Sequence, residues 1–283
     1  MLYPALNWRQ TGSKIDFKEI LKTLTSPVYG LVLGILLTLS APNKKAFIDT
    51  AESESKDVFI STDMDYIMGK FDPATHKDFV LIPRQFRDNV VRYLRKDVMQ
   101  AFEKMATAAK QQGVKLVIVS ATRNFADQKT IWENKWKGKT KLDDGTRASD
   151  IVDPVKRAKK ILLYSSMPGT SRHHWGTDVD LNALNNAWFE KDEGKKLYHW
   201  MQKNAATYGF CQVYGIKGDQ RKHGYQEEKW HWSYLPQASI YSEVVEKKFN
   251  NEMIAGFAGA HTAKAIDMRT NYMMAIDAAC TLP

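Results

Sequence analysis

An α+β fold, with a small, mainly antiparallel sheet flanked by helices and a helical C-terminal extension, is predicted by three observations. Hydrophobic residues make up 43% of the 283-residue chain against 26% charged, enough to bury a core and too apolar for a disordered or collagen-like chain. Short β-branched and aromatic runs of strand length recur among longer helical patterns. The two kinds are interspersed with irregular loops and no regular βαβ beat, which disfavours a doubly wound parallel sheet.

The elements follow in order. Arg9, Lys14, Lys18 and Lys22 precede Val28 to Leu39, an almost wholly apolar run inside a stretch without charge from Lys22 to Lys44. Its length suits the apolar centre of an export signal, about 7 to 15 residues, better than the roughly 20 of a full membrane span. Leu39-Ser40-Ala41-Pro42 is a poor small-x-small cleavage site, so an uncleaved membrane anchor is a close second reading. Pro27, Gly30 and Gly34 disfavour a buried core helix. Residues 1–45 are therefore assigned to an export signal or membrane anchor, with the body in the periplasm or cell envelope. Residues 46–89 read as an irregular lead-in broken at Asp72-Pro73 and Ile82-Pro83. From Leu94 to Gln112 the residues Val98, Phe102, Met105 and Ala109 share one helical face, and Gly113 supplies the stop. Val114 to Ser120 (VKLVIVS) reads as a buried strand, and Phe125 to Trp136 and Pro154 to Tyr164 as helices. A strand follows at Thr177 to Leu181, then a helix from Glu193 to Tyr208 ended by Gly209. Phe210 to Tyr214 and Lys229 to Tyr234 are further short strands, and Tyr241 to Ala279 is mostly helical with a break at Gly256 and Gly259. No internal repeat is visible.

The formal net charge of +9 invites a nucleic-acid reading, because phosphate neutralisation needs lysine and arginine. The distribution argues against it: Lys156-Arg157-Lys159-Lys160 and Lys195-Lys196 fall on helical stretches without the interleaved aromatics of a base-stacking platform. A basic surface does attract anionic envelope polymers and peptide carboxylates at long range. The two cysteines, Cys211 and Cys280, form no C-x-x-C pair, which excludes a cysteine-based zinc module and a disulfide-dense scaffold. In an oxidising compartment they can close one disulfide, and two buried thiols are an equal alternative. A metal in this chain needs histidines and carboxylates.

Three segments gather such groups. In Ser171-Arg172-His173-His174-Trp175-Gly176-Thr177-Asp178-Val179-Asp180, an imidazole at a turn and a carboxylate on the strand after it can converge on a cation, with Gly176 letting the backbone bend between them. His173 and His174, as neighbours, point to opposite faces, whereas Asp178 and Asp180 share one, so alternation does not choose between the aspartates. In Glu227-Glu228-Lys229-Trp230-His231-Trp232 a histidine follows a carboxylate by three residues, and Glu227 against Glu228 is likewise open. Two histidines and one carboxylate make the ligand set of a catalytic zinc, and a further glutamate is what a general base would be. Thr122-Arg123-Asn124 leaves the end of the VKLVIVS strand with Gln128 just beyond, where a guanidinium can grip a carboxylate. Trp175, Trp230 and Trp232 either shield such a site or simply pack in the core.

Taken together, S-x-H-x-x-G-x-x-x-D, then E-x-x-H with a Trp before the histidine, and R-x-x-x-x-Q upstream resemble the zinc D-alanyl-D-alanine carboxypeptidases of the VanY type. Their wider group of peptidoglycan metallopeptidases includes D,D-dipeptidases and phage endolysins. The resemblance covers roughly residues 90 to 236. It implies a zinc peptidase domain at 90–240, with 241–283 as a helical extension, and a zinc site at the sheet face. It further implies Zn2+ bound by His173, Asp180 and His231, Glu228 as catalytic base, Arg123 with Gln128 as the substrate-binding pair, and Ser171 as a supporting hydrogen-bonding residue. Arg123 would pair with the substrate carboxylate or the developing oxyanion. The implied reaction is hydrolysis of the terminal D-Ala-D-Ala bond of a peptidoglycan stem peptide by zinc-activated water, in a monomer. The alternatives are another peptidoglycan peptide hydrolase, meaning a D,D-dipeptidase, L,D-carboxypeptidase or endopeptidase, or a non-catalytic zinc or cell-wall-binding module on the same scaffold. Two positions depart from the pattern: the family often has a small residue where this chain has Asp178, and an aromatic where it has Thr122.

Overall fold

The computed structural model describes residues 63–219 and 221–281, so the export signal or anchor assigned to residues 1–45 lies outside the described residues. Ser61–Pro283 forms one compact unit. Its strands, in chain order, are β1 (Phe79–Leu81), β2 (Tyr93–Arg95), β3 (Ile118–Ser120), β4 (Asp178–Leu181), β5 (Phe210–Cys211) and β6 (His231–Tyr234). The first two pair as a hairpin that joins the lead-in to the residues just after it, and the other four make an antiparallel sheet in the order β3-β4-β6-β5. The predicted α+β architecture with a small antiparallel sheet is therefore what the chain adopts.

Strand periodicity divides the sheet into two faces. Val179 and Leu181 of β4 and Trp232 of β6 join the hydrophobic core, which leaves Asp178, Asp180, His231 and Ser233 to the opposite face. All four residues of β4 are buried, so its two carboxylates are enclosed as well as its two aliphatics. Helix α1 (Lys96–Gln111) covers the core face with Val98, Met99, Phe102, Met105, Ala106 and Ala109, close to the predicted helical stripe. Helix α2 (Phe125–Trp136) has the predicted bounds and starts in a capping box between Asn124 and Asp127. Helix α3 (Pro154–Ile161) is capped by Asp153, α4 spans Asp192–Asn204, and α5 (Leu235–Lys248) leaves β6 directly.

Several elements are shorter than predicted. Of VKLVIVS only the last three residues are strand, because the Val117 N–H donates to the side chain of Asn182 (3.0 Å) instead of a ladder carbonyl. The run Phe210 to Tyr214 pairs only through its first two residues. The predicted helix from Glu193 to Tyr208 becomes α4 plus a 3-10 turn, Ala205–Tyr208, closed by Gly209 in the left-handed region (φ 81°). Past α5 the tail is a series of single turns rather than a mostly helical run, and Gly256 and Gly259 both adopt positive φ at the predicted break. Cys211 and Cys280 form a disulfide with Cα atoms 5.7 Å apart, which settles the open choice in favour of pairing. No helix among the described residues is long and apolar enough to cross a membrane.

Candidate active site

The site forms where three elements meet. A 3-10 turn, Arg172–Trp175, carries His173 and ends on Gly176 in the left-handed region (φ 72°), which turns the chain into β4. Asp180 of β4 stands directly opposite His231 of β6 in the antiparallel register. His173 Nε2 lies 3.3 Å from Asp180 Oδ2, and His231 Nδ1 lies 3.3 Å from Asp180 Oδ1. Ligand-capable atoms of the three residues all lie within 4.8 Å of one another, and all three residues are buried.

The imidazoles are aimed by their other nitrogens. His173 Nδ1 contacts the Ala121 carbonyl (2.8 Å), and His231 Nε2 contacts Asp178 Oδ2 (2.7 Å). With protons on those two atoms, His173 Nε2 and His231 Nδ1 direct lone pairs at Asp180. His173 Nε2 and Asp180 Oδ1 are buried without a hydrogen-bond partner among the described residues. Two oriented imidazole nitrogens and one carboxylate, with orphaned polar atoms between them, fit a divalent metal of the zinc type. Burial pushes the Asp180 carboxyl up, but His173 and His231 outweigh it and hold the group well below the usual carboxylate range.

Glu228 Oε2 is 3.2 Å from His231 Nδ1, and burial pushes its carboxyl above the ordinary value despite the opposing imidazole. Arg123 leaves the end of β3 with Nη1 donating to Ser120 Oγ (2.7 Å), Nε donating to Gln128 Oε1 (3.0 Å), and Nη1 3.8 Å from Asp180. Burial depresses the guanidinium, and Asp180 and Glu228 oppose that effect. Gln128 spends its amide on Arg123 and on the Ser166 carbonyl (2.7 Å), so it holds the guanidinium in place. Ser171 is buried at the N-cap of the 3-10 turn, and its hydroxyl has no partner among the described residues. All the predicted site residues except Ser171 line one cavity of about 330 Å3.

His174 turns away from the His173, Asp180 and His231 cluster. Its ring joins the Arg123 carbonyl (2.7 Å) to the Gly169 N–H (3.0 Å) and braces the loop beneath the site. Trp230 lines the cavity, whereas Trp175 and Trp232 are buried with their indole N–H groups on backbone carbonyls. Sequence patterns did not single out Asn186, Tyr214, Tyr225 or Lys135, which also line the cavity. Only Lys135 carried a readable signal: it lies seven residues after Gln128, two turns along the same face of α2.

Residues 91–237 match the family model described as VanY, D-alanyl-D-alanine carboxypeptidase. The chain belongs to the VanY family. The matched span coincides with the one over which the motifs resemble that family, and it contains every predicted site residue. A Bacillus subtilis relative that carries the carboxypeptidase name YodJ is 31% identical over 150 residues, covering 51% of this chain and 47% of the relative. A D-alanyl-D-alanine carboxypeptidase of Enterococcus faecalis is 28% identical over 133 residues, 45% of this chain and 43% of that one. The chain thus spans about half the length of the curated relatives it matches. Among solved structures, a variant of a VanY D,D-pentapeptidase in complex with Zn(II) aligns at 23% identity over 57% of this chain and 88% of that one, with a TM-score of 0.41.

Proposed function

We propose that this VanY-family chain is a zinc-dependent carboxypeptidase that releases the terminal D-alanine from peptidoglycan stem peptides ending in D-Ala-D-Ala, and that it acts in the cell envelope. The observation that carries this reading is the convergence of His173, Asp180 and His231 within 4.8 Å, with Glu228 3.2 Å from His231. Zinc on those three ligands would supply Lewis acidity toward the scissile carbonyl and lower the pKa of a water to about 7. Glu228 accepts the proton of the attacking water and returns it to the departing amine nitrogen, a task suited to a carboxyl that burial has raised. Arg123 has Nη2 uncommitted among the described residues and pairs with the free C-terminal carboxylate of the substrate. Supporting an envelope location are the disulfide, which needs an oxidising compartment, and the N-terminal apolar run in the sequence.

The test is zinc content of the purified chain, then release of D-alanine from a pentapeptide ending in D-Ala-D-Ala with and without a chelator. Chelator-sensitive release of D-alanine is expected. Zinc with release of a dipeptide, or with cleavage of a tetrapeptide instead, would replace the proposed bond by that of another peptidoglycan hydrolase. Zinc with no cleavage would leave a binding module, and no zinc would remove the metal site.

A further inference from the structure

Beneath the proposed ligands lies a second charged group that the reaction itself does not use. Asp178 Oδ2 accepts from His231 Nε2 (2.7 Å) and from Arg172 Nε (3.1 Å), and Oδ1 accepts from Thr177 Oγ1 (2.6 Å) and Ser233 Oγ (2.7 Å). Arg172 in turn donates through Nη2 to Ser233 Oγ (2.8 Å) and through Nη1 to Ser242 Oγ (3.2 Å), with its guanidinium carbon 4.6 Å over the Trp175 ring. The side chains of Arg172 and Asp178 are 1% and 0% exposed.

The network reaches every element that bears a proposed ligand. Arg172 precedes His173 on the 3-10 turn, Asp178 shares a face of β4 with Asp180, and Ser233 shares a face of β6 with His231. Asp178 reaches His231 from the Nε2 side of the ring, opposite the Nδ1 that faces Asp180, so it orients that ligand without competing for the ion. Stability alone does not account for an ion pair here, since an apolar pair of similar volume generally serves a buried site as well or better. Orientation does account for it. A carboxylate fixed on four sides holds the imidazole in one tautomer and one plane, and the arginine supplies the countercharge that keeps the carboxylate ionised.

We propose that the buried Arg172–Asp178 pair is a positioning device which locks the three ligand-bearing elements into metal-binding geometry before an ion arrives. The inference rests on the zinc reading above. Its test is zinc affinity, measured by competition with a chelating dye, for the full chain and for two variants whose folding is checked by near-ultraviolet circular dichroism. Asp178→Asn keeps the shape and removes the charge. The double variant Arg172→Met with Asp178→Ala removes the pair without leaving either charge buried alone.

For both variants the expected result is a parent-like spectrum with zinc binding weakened by roughly 10- to 100-fold. A pair that matters only to the fold would change the spectrum or the melting temperature and leave the affinity of the folded protein alone. Parent-like affinity in either folded variant overturns the proposal, as does failure of both to fold, which would make the pair a folding requirement only. A parent chain that binds no zinc would remove the zinc reading and this inference with it, whereas a zinc-binding parent with equally tight variants removes this inference alone.

Discussion

Asn186 straddles the backbone around Glu228, donating to the Glu227 carbonyl (2.8 Å) and accepting from the Lys229 N–H (3.1 Å). The Glu228 N–H itself donates to the Tyr214 carbonyl (2.9 Å), and Gln212 donates to the Glu228 carbonyl (3.2 Å). A base must sit within hydrogen-bond reach of the proton it takes, and under the proposed function these four backbone anchors fix Glu228 for that task. Glu228→Gln keeps the shape and hydrogen bonds but cannot accept the proton. Its kcat for D-alanine release is expected to fall by about 10^2- to 10^4-fold while zinc content stays at the parent level. A variant that keeps the parent kcat and still binds zinc would show that another group is the base. Periodicity in the sequence narrows the candidates to the pairs Asp178/Asp180 and Glu227/Glu228, and only the resemblance of the spaced motif chooses between their members. Alternation states which residues share a face and says nothing about which of them meets an imidazole from another strand. The role of Asp178 was hidden for the same reason: Ser233 and His231 reach it from β6, far along the chain.

Gly176 is the joint between the His173 turn and β4, and its conformation was readable from the motif. At φ 72°, a Cβ on this residue would fall 2.4 Å from Phe79 Cε1 and 2.9 Å from Arg95 Cγ. Phe79 and Arg95 belong to the β1–β2 hairpin, where Arg95 donates to the hydroxyls of Tyr66 (3.1 Å) and Tyr241 (2.9 Å) and Phe79 packs against Tyr66, Phe71 and His76, so neither is free to move aside. Gly176→Ala therefore combines left-handed strain of about 1–2 kcal/mol with a steric clash. A melting temperature lower by roughly 5 °C or more is expected by circular dichroism, together with weaker zinc binding because His173 is displaced. An alanine variant that melts with the parent would mean the hairpin does not brace the turn. Helices were the more legible elements: α2 keeps both of its predicted ends. Strands were overextended, because a β-branched run looks the same whether its N–H groups meet a neighbouring strand or, as at Val117, a side chain.

Across the whole described unit, the tail is the feature that composition and periodicity left most open, because its contacts are with residues far back along the chain. The Trp132 indole donates to the Ala258 carbonyl (2.8 Å), Lys129 donates to the Gly256 carbonyl (2.6 Å), and the Ala258 N–H donates to Glu133 (3.1 Å), so the Gly256–Gly259 break is where the tail crosses α2. Farther on, Tyr272 packs edge-on against Tyr225, the Asp277 N–H donates to the Val213 carbonyl (2.9 Å), and Cys280 closes on Cys211. Tyr214 and Tyr225 line the cavity, and Tyr214 also packs on the His231 ring with centroids 4.7 Å apart. The disulfide thus fastens the segment that backs one wall of the cavity. Replacing both cysteines by alanine restores conformational freedom to the unfolded chain and is expected to lower stability by about 2–4 kcal/mol, or roughly 5–15 °C in melting temperature. Because the proposed zinc ligands and base are anchored by the sheet and by Asn186, zinc content and kcat are expected to hold near the parent values while KM for the pentapeptide rises. Thermal melts and a KM-against-kcat comparison of the two proteins check this. A parent-like KM in a destabilised variant would confine the crosslink to stability, and a collapse of kcat with loss of zinc would show that the tail also holds the metal-bearing strands.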